Sequence, residues 1–269
     1  RFRLGARPAI SAAAATGFEA VDASHFRAPF EREVVRTSIP SRANAPVELQ
    51  DTRSGVLVRF ALRGAADVAA AKANGLVLYR NVLPGADVVY RVDERGIEDF
   101  VAFEQRPLVE ELVYDVDVSR VASLRIAERG LEFVDARGTA RLRVSPPWVV
   151  DARGYRREAT LRIEGCQYDD TSLGPPSNRP LRSCVVHVAW SGATYPALVD
   201  PSWTAGDGTY QYRGGATLTV LPDGRAIANG GFVEPEIYDP ATGNFSFFGT
   251  GCAGSVLSLI HISEPTRPY

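Results

Sequence analysis

The histidines of this sequence are its first candidates for acid–base or metal chemistry. Apart from His261 near the C-terminus, the sequence contains only His25 and His187. In the run CVVHVAW, alternation places His187 on the face opposite the apolar set, so we expect a solvated strand residue. The spacings HxxxH, CxxC and GxSxG and a phosphate-binding loop do not occur. The residues therefore predict no catalytic, cofactor-binding or zinc site.

Acidic residues are the second set of candidates. Carboxylates occur close together at four places: Asp115 with Asp117, Glu98 with Asp99, Glu110 with Glu111, and Asp169 with Asp170. A glycosidase requires two carboxylates that face each other across a cleft, and calcium requires several converging oxygen ligands. Neighbouring strand residues point to opposite faces, so sequence adjacency supplies neither arrangement. We expect solvated surface carboxylates, with calcium at Asp169 and Asp170 as the main alternative and catalysis as a lesser one.

Two cysteines could form a disulfide. Cys166 and Cys184 flank a polar loop rich in proline and serine, and each lies beside an apolar strand. A bridge across the base of this loop is the favoured interpretation, with two buried thiols or a metal role as alternatives. Cys184 shares a strand face with Val186 and Val188, whereas Cys166 has the wrong parity unless the chain bulges at Gly165. A disulfide implies an oxidising compartment, and therefore a secreted or cell-surface protein.

Aromatic residues could form a platform for sugar rings, but their positions in predicted strands favour a core. These strand aromatics are Tyr79, Tyr90, Phe100, Phe103 and Phe133. Trp148 follows the sequence SPP, a position that favours an exposed ring. Because an exposed indole can stack on a sugar, Trp148 is the candidate for contact with a carbohydrate ligand.

The composition excludes several classes of protein. The chain has 269 residues, of which 45% are hydrophobic, with a net charge of -2 and a pI near 6.0. This charge gives no electrostatic basis for binding nucleic acid or an anionic membrane. No apolar run approaches the roughly 18 residues of a membrane-spanning helix, so we expect no membrane insertion.

Short alternating runs separated by turn signals dominate residues 19–203 and predict an all-β, antiparallel β-sandwich-type region. In GVLVRFAL (55–62), one face carries valine and phenylalanine and the other carries leucine, arginine and alanine. The sequence DERG is typical of a hairpin turn, and AADVAAAKANG (65–75) is the one stretch that could form a helical turn or a loop. We place the end of this region at Trp203, a large apolar anchor, and interpret residues 1–18 as a frayed remnant or linker.

The stretch ATLTVLPDGRAIANGGFVEPEIYDPATGNFSF (216–247) contains four short strand-like runs separated by sharp turns. Four strands in about 40 residues are typical of a propeller blade. The segments LPDGRAIANGG and EIYDPATGNFS resemble a bacterial kelch repeat of the galactose-oxidase-like type. The positions that carry this resemblance are Gly230, Gly231, Tyr238, Asp239, Pro240 and Phe245. We assign residues 204–256 to the first blade of a propeller whose further blades lie beyond this chain.

The pattern also predicts how this blade is built. Strands near 216–221, 225–229, 236–238 and 245–248 should pair as an antiparallel meander. Alternation places Leu218 and Val220 on one face. We expect them to share the interior surface of the blade with Ile227 and Ile237.

Resemblance implies a function that the residues alone do not give. The segments GIEDFVAF, PPWVVDARG and YPALVDPSWT resemble the sandwich-type leader of large secreted proteins of soil bacteria. Together with the kelch-like segment, they imply a non-catalytic extracellular binding or adhesion module for a protein or glycan ligand. The alternative is a fragment of a galactose-oxidase-like copper-radical oxidase, whose copper ligands would come from later blades.

The C-terminal sequence LSLIHISEPTRPY (257–269) differs in composition from everything before it. It resembles the translation of a transposase-type sequencing adapter, and we interpret it as an artefactual tail. We therefore expect residues 257–269 to have no place in the core of the fold.

Overall fold

The computed structural model of the chain is built from β-strands. It describes residues 18–30, 33–73, 76–127, 130–169, 182–206, 217–229, 235–239 and 244–247. Within these ranges every regular element is a strand and no helix occurs, which confirms the prediction of an all-β fold. The described part of the stretch 65–75 contains a short strand, Ala71–Ala73, rather than a helical turn. None of the described segments forms a helix of the length and hydrophobicity that a membrane crossing requires.

Eight antiparallel strands form the first sheet. In order across the sheet they are β1 (Glu19–Ala20), β2 (His25–Arg27), β3 (Val35–Pro40), β4 (Val47–Asp51), β5 (Leu57–Leu62), β10 (Glu111–Arg120), β17 (Ser183–Ala189) and β16 (Thr160–Glu164). The alternation predicted for β5 is confirmed, because Val58 and Phe60 are buried in the core while Arg59 lies on the outer face. Strands β5 and β10 pair although they are far apart in the sequence.

Eleven strands form the second sheet, which branches at β9 (Gly96–Phe103). The others are β6 (Ala71–Ala73), β7 (Leu76–Leu83), β8 (Ala86–Asp93), β11 (Ser123–Ala127), β12 (Gly130–Val134), β13 (Ala140–Val144), β14 (Trp148–Val150), β15 (Arg156–Glu158), β18 (Ala197–Asp200) and β19 (Trp203–Ala205). One edge of β9 pairs with β8, and successive parts of its other edge pair with β18 and β19. From there β18 leads to β14 and β15, and β19 leads to β13, β12 and β11.

The hairpin of β8 and β9 is the one predicted from DERG, and Asp93 pairs with Gly96 at its turn. Gly96 has a φ of +149°, and a Cβ atom at this position would lie 2.2 Å from the carbonyl oxygen of Trp203. Only glycine has no Cβ, so only glycine lets β19 approach β9 this closely. The branch in the second sheet therefore depends on Gly96.

One hydrophobic core joins the buried faces of the two sheets. Trp203 is 1% exposed, and its indole stacks on the Phe60 ring of the first sheet with centroids 4.0 Å apart. The Tyr114 ring meets the same indole edge-on at 5.7 Å. Trp203 is thus the apolar anchor that the sequence predicts, and the second sheet continues past it to Ala205. Aromatic rings of this size dominate the energetics of a core.

Four strands near the C-terminus form a separate sheet. They are β20 (Thr217–Val220), β21 (Ala226–Asn229), β22 (Glu236–Asp239) and β23 (Asn244–Phe247). The strands pair antiparallel in chain order. The predicted meander is therefore confirmed.

The predicted grouping of apolar residues in this four-stranded sheet is wrong. The turn PDG sets a register in which Leu218 pairs with Ala228. Directly paired residues share a face, and Ile227, the neighbour of Ala228, lies on the other face together with its own partner Ile237. Leu218 and Val220 are exposed, at 64% and 70%. The turn length, which sets this parity, decides which face each residue occupies.

Candidate functional site

A cleft on the outer face of the first sheet is the candidate binding site. Its volume is about 490 Å³, within the range of small-molecule sites. The described residues that line it include four arginines, one carboxylate and one amide: Arg27, Arg36, Arg59, Arg120, Glu48 and Gln50. The floor of the cleft is formed by β3, β4, β5 and β10, and the hairpin of β1 and β2 forms one wall.

The ladder register places two rows of outer side chains across this floor. In the first row, Ser38 pairs with Glu48, Glu48 with Arg59, and Arg59 with Asp117. The Arg59 Nε donates to Glu48 Oε1 at 2.5 Å, and its Nη1 donates to Asp117 Oδ2 at 3.3 Å. The hydrogen bond to Glu48 is the main cause that raises the pKa of Arg59 above its usual value. The first row is therefore a strip of alternating charge held by a rigid backbone.

The second row has charges only at its ends. Arg36 pairs with Gln50, Gln50 with Leu57, and Leu57 with Arg120. Leu57 is 7% exposed and forms an apolar floor. The Arg36 Nε donates to Glu33 at 3.3 Å. In the part of the chain that the structure describes, no acidic side chain pairs with Arg120, although this side chain is exposed.

The wall of the cleft adds one ion pair and one apolar contact. Glu19 and Arg27 pair across the β1–β2 hairpin, and the Arg27 Nη2 donates to Glu19 Oε2 at 3.3 Å. Val21, at the turn of this hairpin, is 52% exposed. A ligand in the cleft would therefore meet both charged and apolar surface.

This arrangement supplies both donors and acceptors of hydrogen bonds. The described lining contains no histidine, cysteine or lysine, and its hydroxyl groups are those of Ser38 and the buried Thr37. Its arginines donate hydrogen bonds, Glu48 accepts them, and Gln50 does both. Across the described ranges, no group of three or more histidine, cysteine, aspartate or glutamate side chains is arranged to hold a metal ion.

The predicted disulfide is confirmed. Cys166 and Cys184 are bonded, with their Cα atoms 5.3 Å apart. Strand β16 ends at Glu164, and Gly165 has a φ of +78°, a conformation that suits glycine and brings Cys166 to Cys184. The change of parity expected at Gly165 is a bend after the strand rather than a bulge within it.

The expectation of an exposed Trp148 is wrong. Trp148 is 7% exposed because the Arg156 guanidinium covers its ring at 4.5 Å and Phe100 packs against it edge-on at 6.4 Å. A sugar-stacking role for Trp148 requires an exposed ring, and this ring is buried. The expectation that strand aromatics form the core is confirmed for four residues: Tyr79, Tyr90, Phe103 and Phe133.

The expectation of a solvated His187 is also wrong. His187 does lie on the outer face of β17, but it is only 9% exposed. Its Nδ1 lies 3.1 Å from Glu111 Oε1, and its Nε2 lies 3.3 Å from Glu164 Oε2. Because these carboxylates contact opposite ring nitrogens, they cannot share one metal ion with His187. His25, the other candidate, lies 2.9 Å from the hydroxyl of Ser24.

Two of the acidic residues behave as predicted. Asp115 and Asp117 lie on the outer face of β10, where each forms an ion pair with an arginine of the β5 side, Arg63 and Arg59. Glu110 is less exposed than expected, because its side chain binds Arg106 at 2.8 Å and the Tyr195 hydroxyl at 2.9 Å. None of these contacts forms a pair of carboxylates across a cleft.

Asp99 contradicts the expectation of a solvated carboxylate. It is 1% exposed, because it shares the inward face of β9 with Ile97 and Val101. The Tyr114 hydroxyl donates to Asp99 Oδ2 at 2.9 Å. Burial, with a smaller contribution from the charge of Asp200, raises the pKa of Asp99 to about 8 despite this hydrogen bond.

Several predicted site residues lie outside the described ranges. These are Gly230, Gly231 and Pro240 of the kelch-like signature and Asp170 of the calcium alternative. Asp169 is described, and its backbone pairs with β11 through Leu124 and Ile126. Tyr238 and Phe245 of the signature have ring centroids 5.1 Å apart. Calcium at Asp169 and Asp170, and copper ligands in later blades, stay predictions.

Sequence reasoning does not find the arginine-lined cleft. The alternation in GVLVRFAL does place Leu57 and Arg59 on the outer face, which is one usable signal. The other residues of the cleft come from strands whose pairing the sequence does not specify. Arg59 and Asp117, for example, are 58 positions apart.

Comparison with known proteins does not assign this chain to a family. No family model, curated protein or solved structure matches the chain. The function is therefore inferred from the cleft, the disulfide and the kelch-like residues.

Proposed function

We propose that this chain is a non-catalytic extracellular binding module, composed of a β-sandwich-type domain and the first blade of a kelch-type propeller. The two large sheets around one core support the sandwich-type domain. The antiparallel meander of β20 to β23 supports the blade. The Cys166–Cys184 disulfide supports an oxidising compartment, and so a secreted or cell-surface location.

The cleft on the first sheet is the observation that carries this proposal. Its polar side chains stand on four neighbouring strands, so their positions are fixed by ladder hydrogen bonds rather than by a flexible loop. Its volume of about 490 Å³ suits a short segment of a glycan or peptide. Because the lining offers hydrogen-bond donors and acceptors on a fixed backbone, we infer that the cleft is a recognition site.

Filling the cleft tests this function. Ser38 lies in the floor of the cleft, and Ser38→Trp would place an indole there. Thr160 lies exposed on the outer face of β16, outside the cleft, so Thr160→Trp is the matched control. We expect wild type and Thr160→Trp to be retarded in native gels that contain soluble polysaccharides, and Ser38→Trp to migrate as it does without polysaccharide.

Thermal melts of both variants must first match the wild type, which ensures that migration reports binding. Retention of binding by a folded Ser38→Trp protein would exclude the cleft as the recognition site. Failure of the wild type to bind any polysaccharide or peptide library would contradict the proposed function itself.

A further inference from the structure

The cleft carries a charge pattern that narrows the ligand class. In its second row, Arg36 and Arg120 stand at the two ends, with Gln50 and Leu57 between them. These four residues occupy β3, β4, β5 and β10 in order. Neighbouring strands are about 4.8 Å apart, so the Cα atoms of Arg36 and Arg120 are separated by about 14 Å. The row thus presents two cations on strands of fixed spacing, with a neutral polar and apolar centre.

Both terminal guanidinium groups can accept a new anionic partner. Arg120 pairs with no acidic side chain among the described residues. Arg36 uses its Nε for Glu33, and its side chain is 52% exposed. Exposed ion pairs of this kind contribute only about 0–1 kcal/mol, so a ligand anion can replace or share the existing partner. Guanidinium groups bind carboxylate and sulfate through two parallel hydrogen bonds.

The centre of the row suits a sugar. Gln50 can donate to and accept from ring hydroxyls, and Glu48 in the adjacent row accepts from them. Leu57 and Val21 provide apolar surface for the C–H face of a sugar ring. Side chains stand roughly perpendicular to a sheet, so arginines about 14 Å apart at their Cα atoms suit anionic groups on different units of a sugar chain.

We infer that the cleft binds an oligosaccharide that carries acidic groups, carboxylate or sulfate, on more than one sugar unit. This inference rests on the proposed binding function and names its ligand class. Nucleic acid is the other anionic polymer, but the described lining contains no aromatic residue on which a base could stack.

Calorimetry with defined probes tests the inference. The probes are oligogalacturonate for carboxylate, chondroitin sulfate oligomers for sulfate, a cello-oligosaccharide of equal length as the neutral control, and galacturonic acid as the single unit. Single-stranded DNA represents nucleic acid. We expect an acidic oligomer to bind at least about tenfold more tightly than both the neutral oligomer and the single unit, as expected for one charged hydrogen-bonded pair. The stronger of the two acidic oligomers identifies the anion.

Matched variants locate the effect. Arg120→Gln and Arg36→Gln should each lower the affinity for the acidic oligomer about tenfold and leave the affinity for the neutral oligomer unchanged. Arg80 is exposed on β7, outside the cleft, so Arg80→Gln removes the same charge and should change neither affinity. All three variants should have the same melting temperature as the wild type.

Each alternative result of the calorimetry contradicts either the acidic ligand or the binding function. Equal binding of neutral and acidic oligomers, or unchanged affinity in Arg120→Gln and Arg36→Gln, refutes the acidic ligand while the binding function survives. Tighter binding of DNA than of any oligosaccharide also refutes it, in favour of nucleic acid. Absence of binding to every probe refutes both the inference and the oligosaccharide form of the proposed function.

Discussion

The outer face of the first sheet and the core between the two sheets both contain a carboxylate hydrogen-bonded to a neighbouring strand, yet the two carboxylates have opposite properties. On the outer face, Asp117 accepts from the backbone of Ser119 and from Arg59, and these bonds lower its pKa although partial burial opposes them. In the core, Asp99 accepts from the Tyr114 hydroxyl, and burial raises its pKa to about 8. Asp117 is therefore ionised at neutral pH, and Asp99 is mostly protonated.

The difference shows that solvent and the partner's charge, rather than the hydrogen bond alone, decide the state of a carboxylate. Arg59 is a cation at the surface, where water also solvates the carboxylate. Tyr114 is neutral and buried, and it cannot offset the loss of water around an ionised Asp99. Exposed pairs in the cleft can therefore be exchanged for ligand, whereas the buried pair links the stability of the fold to pH.

The largest expected effect follows from Asp99. An unfolded aspartate titrates near 3.9, and folded Asp99 titrates near 8, so between these values the native state binds the extra proton. The stabilisation that Asp99 contributes through this difference in pKa should be fully present below about pH 4. It should be lost as the pH rises to about 8, which lowers the free energy of unfolding by on the order of 5 kcal/mol. The groups that face Asp99 are Tyr79, Tyr90, Tyr114 and Asp200. Asp99→Asn should remove this slope in urea unfolding curves measured from pH 5 to pH 9.

Asp115→Asn on the outer face is the control, because Asp115 is exposed and paired with Arg63. We expect Asp115→Asn to keep the slope of the wild type. A wild-type protein whose unfolding free energy is constant from pH 5 to pH 9 would contradict a protonated Asp99 and remove the contrast between the two regions.

Removal of the core anchor should have the second-largest effect. Trp203 stacks on Phe60 at 4.0 Å and is 1% exposed, so Trp203→Ala leaves a cavity between the sheets. A loss of about 3–5 kcal/mol in unfolding free energy is expected. Val21→Ala in the wall of the cleft should cost less than about 1 kcal/mol, because Val21 is 52% exposed. Similar losses of unfolding free energy for these two variants in urea titrations would contradict the expected difference in stability between the core and the cleft.

The smallest effect should come from the cleft's own ion pair. Glu48→Gln removes the charge that binds Arg59 at 2.5 Å, but both side chains are about one-third exposed, at 33% and 35%. The expected loss is less than about 1 kcal/mol. Differential scanning calorimetry of Glu48→Gln beside Glu132→Gln, which alters the less exposed pair with Arg125, gives the comparison. A larger loss of stability in Glu48→Gln than in Glu132→Gln would mean that the Glu48–Arg59 ion pair stabilises the fold, against its place on an exchangeable binding surface.

Local features of the fold could be predicted from the sequence because their causes are local. Alternation gave the two faces of β5, and the turn DERG gave the β8–β9 hairpin. The loop between Cys166 and Cys184 has an apolar strand at each end, and the disulfide closes it. The predicted grouping of Leu218 with Ile227 is wrong because it depends on the number of residues in a turn, which a hydrophobic pattern does not specify.

The buried Asp99 and the cleft differ in how much of each can be predicted from the sequence. Asp99 shares its parity with Ile97, Val101 and Phe103, so its burial was readable from the pattern of β9. The cleft was not readable, because Arg36 and Arg120 are joined only through the pairing of β3, β4, β5 and β10. Such pairings depend on tertiary packing between distant segments rather than on local residue preference.

The position of β19 has a mechanical consequence. This strand is the last of the second sheet, and it lies between β13 and β9 rather than at an edge. A tension applied to the chain beyond Ala205 would have to shear the ladder pairs from Trp203 to Ala205 with β13 and those of Trp203 and Thr204 with β9. It would also have to extract the indole of Trp203 from its stack on Phe60. We therefore expect the C-terminal strand of the two-sheet domain to resist extraction when the chain beyond it is pulled.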